Sequence, residues 1–178
     1  MVVGPTIRKG YVIAWALLIV AVALPTAIRL AMREPDSPAV VVAGLNTEHW
    51  VTLDDLKEMA SLSRAGDAQN QFGNWREAGT YTGVLLTALF ETLGETVRDV
   101  EVVATDGYRV VLEEWRILDS EYPVVLAYAM DGVEIPDWED GPRIVVLPED
   151  GSVSNEEYAA ESAGSYWVKN VERIVLVE

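Results

Sequence analysis

In Gly79-Thr-Tyr-Thr-Gly-Val-Leu-Leu-Thr-Ala-Leu-Phe-Glu-Thr-Leu-Gly94, the apolar residues Leu85, Leu86, Leu89, Phe90 and Leu93 recur at helical spacing, and Gly94 supplies the stop. The spacing predicts a short core helix. Upstream, Ala39-Val-Val-Val-Ala-Gly44 reads as a buried strand from its β-branched content. Thr52, with Asp55 three places on, is a near capping box that opens a helix from Leu53 to Met59. Between these helices, residues 61–79 are polar and glycine-bearing with no sustained period, which predicts a long loop. Downstream, Val100–Thr105 and Tyr108–Glu113 flank Asp106-Gly107, a pair suited to a tight hairpin turn. Pro123–Met130, Val133–Ile135 after a second Asp-Gly, Arg143–Leu147 and Trp167–Val177 complete the strands. Strands dominate without βαβ alternation, so the expected class is α+β with a mixed, partly barrel-like sheet.

The N-terminus has a different character. From Tyr11 onward, 18 consecutive residues carry no charge before Arg29. That length, with Arg29 and Arg33 snorkelling, suffices to cross a hydrocarbon core of about 30 Å. The expected organisation is a head at 1–9, a transmembrane helix at 10–32, a proline-punctuated linker at 33–38 and one folded domain at 39–178. A cleaved secretory signal is the rival, because Arg8 and Lys9 precede the apolar run and Ala21-Val22-Ala23 has a small-x-small pattern. The anchor reading makes the lipid bilayer a partner through residues 10–32. It gives a single-pass membrane protein with its C-terminal domain on the extracytoplasmic side.

Charge divides along the same line. Residues 34–178 carry 9 basic and 29 acidic side chains, a net of −20. A field of that sign repels nucleic acid, which is excluded as a partner. The chain has no cysteine, hence no disulfide, no thiolate nucleophile and no thiolate metal ligand, and its one histidine, His49, cannot build a multi-histidine metal site.

Several segments stand in an informative order: Val51-Thr-Leu-Asp-Asp-Leu-Lys57, Gly79-Thr-Tyr-Thr-Gly-Val84 with its leucine-rich helix, Ala104-Thr-Asp-Gly-Tyr108, Val125-Leu-Ala-Tyr128, Asp131-Gly132, Gly141-Pro-Arg143, and Trp167-Val-Lys-Asn-Val-Glu-Arg-Ile174. Together they resemble the molybdopterin-binding domain of the sulfite-oxidase family of oxidoreductases, especially its small stand-alone members, over nearly all of residues 39–178. The resemblance implies that fold. It also implies a cofactor that active members hold through a cysteine thiolate on molybdenum, with histidine, arginine and lysine side chains on the pterin and its phosphate. This chain departs from the pattern. The stretch ahead of Gly79 where that cysteine is expected reads Asn70-Gln-Phe-Gly-Asn-Trp75, and Gly164-Ser165-Tyr166 stands where the family often has glycine-x-lysine. The expectation is therefore no cofactor and no metal, with molybdopterin as the alternative.

Trp75, Tyr81 and Tyr166 are the candidates to occupy a vestigial pocket. Asp106 and Tyr108 are candidates for a ligand-facing edge, although turn geometry already accounts for Asp106-Gly107, and Arg76, Arg143 and Lys169 are candidates for anion contacts, with exposed ion pairs on the acidic surface the favoured reading. The run Asp137-Trp138-Glu139-Asp140 lacks the alternating ligand ladder of a calcium loop, so it reads as a solvated acidic loop and a candidate surface for a protein partner. The leading functional expectation is a non-catalytic domain acting as an accessory or interaction subunit of an envelope assembly. A molybdopterin-dependent oxidoreductase and a small-molecule-binding module are the alternatives.

Overall fold

The computed structural model describes residues 39–177. The head, the hydrophobic segment 10–32 and the linker 33–38 lie outside the described residues. Among those described, no helix is long and apolar enough to cross a membrane.

The strands are β1 (Val40–Ala43), β2 (Glu48–Val51), β3 (Ser61–Gln69), β4 (Trp75–Leu85), β5 (Val100–Ala104), β6 (Arg109–Leu112), β7 (Val124–Met130), β8 (Val133–Glu134), β9 (Arg143–Val146), β10 (Ser152–Val153) and β11 (Val171–Leu176). Among the described residues three short helices interrupt them: α1 (Leu53–Glu58), α2 (Leu86–Leu93) and α3 (Glu114–Ile117), with a 3₁₀ turn over Ala163–Tyr166. One sheet has the order β2-β1-β11-β5-β6, mixed because β1 and β11 run parallel, with Val41 opposite Arg173. The other has the order β10-β3-β4-β7-β8, with β9 also on β7 and a parallel β10–β3 pair. The expected mixed sheet pairing is found, and the partly barrel-like expectation is corrected: among the described residues two sheets form and no barrel closes.

Local signals produce the elements they predict. Thr52 and Asp55 exchange side-chain-to-backbone hydrogen bonds of 2.8 and 3.2 Å, a full capping box that opens α1. The hydrogen bonds hold the Asp55 carboxyl below its usual range, the Thr52 side chain contributing most. Helix α2 buries Leu86, Leu89 and Phe90 and stops where Gly94 adopts φ 73°. There the Glu95 N–H reaches the Phe90 carbonyl at 2.9 Å, the bond that satisfies an orphan carbonyl at a helix end. Asp131 and Gly132, at φ 50° and 82°, make the turn between β7 and β8.

The long loop expected over residues 61–79 is a second correction. Residues 61–69 and 75–85 are the antiparallel pair β3–β4, running from Ser61 opposite Val84 to Gln69 opposite Trp75 with a register shift between Gly66 and Ala68. The turn is built by Asn70, whose side-chain oxygen accepts from the N–H groups of Phe72 and Asn74 at 2.9 and 3.0 Å, and by Gly73 at φ 75°. Ser61–Gln69 is rich in small and polar residues, so its strand character comes from its neighbours on both sides rather than from its own propensity.

Strand β7 is buried from Val124 to Ala129, and β9 is buried throughout. Both read as continuous apolar runs because they are covered on both faces. Where β4 pairs with β7 the backbones approach so closely at Gly83 that a Cβ there would lie 2.2 Å from the Leu126 carbonyl oxygen. Only glycine fits there, at a point where the β4–β7 register shifts.

Candidate functional site

Three segments meet around an open cleft of about 380 Å³. The β3–β4 hairpin contributes Gln71, Arg76 and Glu77, the β5–β6 turn contributes Asp106 and Tyr108, and the stretch around the 3₁₀ turn contributes Ser165 and Lys169. Its size is that of a small-molecule site. The Tyr108 hydroxyl donates to the Ser165 carbonyl at 2.9 Å and ties the second segment to the third. Asp106 accepts from the Tyr108 N–H at 2.9 Å, so its carboxylate also serves the turn.

At one wall lies a closed network of four charges. Arg143, fully buried on β9, donates from one terminal nitrogen to Glu77 Oε2 and to the Tyr81 hydroxyl, each at 3.1 Å, and from the other to Asp140 Oδ2 at 3.1 Å. Lys169 reaches Glu77 Oε1 and the same Asp140 oxygen, also at 3.1 Å. Two cations and two carboxylates therefore compensate one another. This is the condition under which a guanidinium can be taken out of water. The two like charges are held close by the oxygen they share, and Glu77 bridges them from the cleft side.

Glu77 is held at φ 63°, a backbone region that non-glycine residues rarely occupy. In that conformation its carbonyl accepts the Tyr81 hydroxyl at 2.5 Å while its carboxylate points to Arg143 and Lys169. Burial pushes the Glu77 carboxyl up, but the Lys169 hydrogen bond and the charges of Arg143 and Lys169 together outweigh it and hold the group below the usual range. Glu77 thus stays ionised wherever ordinary carboxylates do. Burial pushes the Tyr81 phenol up against the opposing charge of Arg143.

The sequence candidates fall in different places. Tyr81 is fully buried, 5.3 Å edge-on from the Trp167 ring and 6.1 Å from Trp138, and it packs behind the charge network. Tyr166 joins a separate cage in which its ring, with those of Tyr158 and Trp115, surrounds the Arg116 guanidinium at 4.2–4.8 Å. In that cage burial raises the Tyr158 phenol to about 12. Trp75 is 46% exposed at the start of β4 and does not line the cleft. Of the acidic run, Asp137 and Glu139 are exposed, Trp138 is buried against Tyr81, and Asp140 is engaged by Arg143 and Lys169. Arg76, Asp106, Tyr108 and Lys169 do share the cleft. Glu77, which sequence reasoning passed over, is the residue that links cleft and network. Nothing in Trp75-Arg-Glu-Ala-Gly79 marks it, because its role depends on Arg143 and Lys169, which lie 66 and 92 positions further along the chain. Among the described residues no group of three or more His, Asp or Glu is placed to hold a metal ion.

No family model and no curated protein matches this chain. Among solved structures, the sulfane dehydrogenase SoxCD from Paracoccus pantotrophus is similar, with a TM-score of 0.55 at 17% identity. The match covers 78% of this chain and 37% of that chain, so this chain spans little more than a third of its neighbour's length. At that identity the likeness concerns the fold alone: a mostly β architecture of two mixed sheets shared with part of a dehydrogenase.

Proposed function

We propose that this chain is a non-catalytic domain of the molybdopterin-binding type, tethered to a membrane by residues 10–32 with the domain on the extracytoplasmic side. It works by contact with another protein of the envelope. The observation that carries this reading is the donor set. A molybdenum pterin of the sulfite-oxidase kind needs a thiolate on the metal and uncompensated cations for its phosphate. The chain has no cysteine, and of the cations at the site Lys169 on the cleft wall and Arg143 buried behind it are already matched by Glu77 and Asp140, which leaves Arg76 as the exposed cation of the cleft. The residues present do not fit the group. The net charge of −20 over residues 34–178 adds a field that opposes an anionic cofactor.

The fold likeness to a dehydrogenase supports descent from such a scaffold, on which function is carried by the site rather than by the fold. The acidic surface supports a basic partner, and Asp137 and Glu139 are the exposed carboxylates of the run between β8 and β9. Asp140 is part-exposed in the same run, with its carboxylate engaged by Arg143 and Lys169.

The test uses full-length protein in native membranes. It should resist salt and alkaline washes and leave only in detergent, since the transfer energy of an 18-residue uncharged span is insensitive to salt. Elemental analysis and pterin fluorescence of the purified protein should find neither molybdenum nor pterin. Cross-linking followed by mass spectrometry should find an envelope partner whose association weakens in Asp137→Lys/Glu139→Lys. Stoichiometric molybdenum with pterin would overturn the non-catalytic reading, and recovery of a soluble mature chain would overturn the tether.

A further inference from the structure

We infer that Glu77 is the built-in occupant of an oxyanion site, and that this one side chain closes the Arg143–Lys169 site beside the cleft to anionic ligands. The inference rests on the preceding reading that the cleft is not loaded with a cofactor, and adds what stands in its place.

The geometry is that of a bound anion. One Glu77 oxygen receives the Arg143 guanidinium and the other receives the Lys169 ammonium, each at 3.1 Å. An oxyanion held between an arginine and a lysine would offer the same two oxygens to the same two donors. Arg143 is fully buried and its Nε makes no hydrogen bond among the described residues, so one donor of the fork has no acceptor. A buried guanidinium needs an anion, and Glu77 on the cleft side, together with Asp140, supplies that charge from the chain itself through the terminal nitrogens while Nε stays without an acceptor. The left-handed backbone at Glu77 is a further sign of occupancy. The hairpin adopts φ 63° at a residue with a long side chain, and in that conformation the carboxylate points back into the wall.

Asp140 touches the same two cations and yet does not line the cleft, whereas Glu77 and Lys169 do. The two carboxylates are therefore not equivalent. Removing Glu77 leaves one positive charge uncompensated and vacates the place beside it. Removing Asp140 leaves the same charge imbalance with Glu77 still in the way.

The test is a calorimetric titration of full-length, detergent-solubilised protein with inorganic sulfate, comparing wild type, Glu77→Gly, Asp140→Asn and Glu77→Gly/Lys169→Met. Glycine accepts a positive φ without strain, so Glu77→Gly suits the hairpin backbone. Expected is sulfate binding at least about tenfold tighter in Glu77→Gly than in wild type. No gain is expected in Asp140→Asn, and the gain should be lost in the double variant. Folded Glu77→Gly that binds no better than wild type would overturn the proposal, as would an equal gain in Asp140→Asn. Should near-UV circular dichroism show Glu77→Gly unfolded, Glu77→Ala, which also vacates the place between Arg143 and Lys169, is read by the same criterion. Molybdenum and pterin content of the same wild-type preparation bears only on the earlier proposal, so either can fail without the other.

Discussion

Phe90→Ala should destabilise the domain by about 3–5 kcal/mol, and Leu89→Ala by about 2–5 kcal/mol. Both side chains are fully buried on α2, which packs on β4 and β7, the paired strands that approach most tightly at Gly83. Deleting the Phe90 ring removes its transfer energy and leaves a cavity, because the rows beneath it cannot collapse. Gly83 already lies against the β7 backbone, and β7 is buried along nearly its whole length. Urea denaturation followed by tryptophan fluorescence, on full-length protein in detergent, measures the loss. A change below about 1 kcal/mol at both positions would mean that α2 is not part of the core.

What could be read from the sequence divides by the range of the interactions involved. The α2 helix, the Thr52 capping box and the Asp131-Gly132 turn are each decided within a few residues, and all three form as their residues dictate. The β3–β4 hairpin carried only its turn chemistry locally, in Asn70 and Gly73. Its strands depend on neighbours far away in sequence, among them β7 and β10. Openness of the sheets is likewise a matter of register between distant segments, which no periodicity encodes. Trp138 sits among Asp137, Glu139 and Asp140, and its charged neighbours suggested a solvated loop. In the fold it lies over Tyr81 and against Gly141, where an added Cβ would meet the Trp138 ring at 2.3 Å. The charge network was legible only as separate basic residues. Arg143 and Lys169 stood out as cations, but their partners Glu77 and Asp140 were hidden in a chain with 29 acidic side chains to choose from.

That network carries the second large effect. Arg143→Met should cost about 3 kcal/mol, the lower end of what removing one partner from a buried ion pair costs. The lower end applies because the orphaned carboxylates are not themselves deeply buried: the Glu77 and Asp140 side chains keep 37% and 45% exposure and can recover water. The loss comes mainly from the position of Arg143 itself, which holds the Tyr81 hydroxyl at 3.1 Å and stands 5.9 and 5.7 Å from the Tyr81 and Trp138 ring centroids. Arg143→Lys should recover little of it. Glu77 and Asp140 are engaged by two different nitrogens of the guanidinium fork, a reach that a single ammonium cannot reproduce. A double-mutant cycle of Arg143→Met with Glu77→Gln should show coupling of about 0.5–3 kcal/mol, since both residues belong to one network. Additive losses in that cycle, or full rescue by lysine, would mean that Arg143 is held by packing alone and that the four charges do not act together.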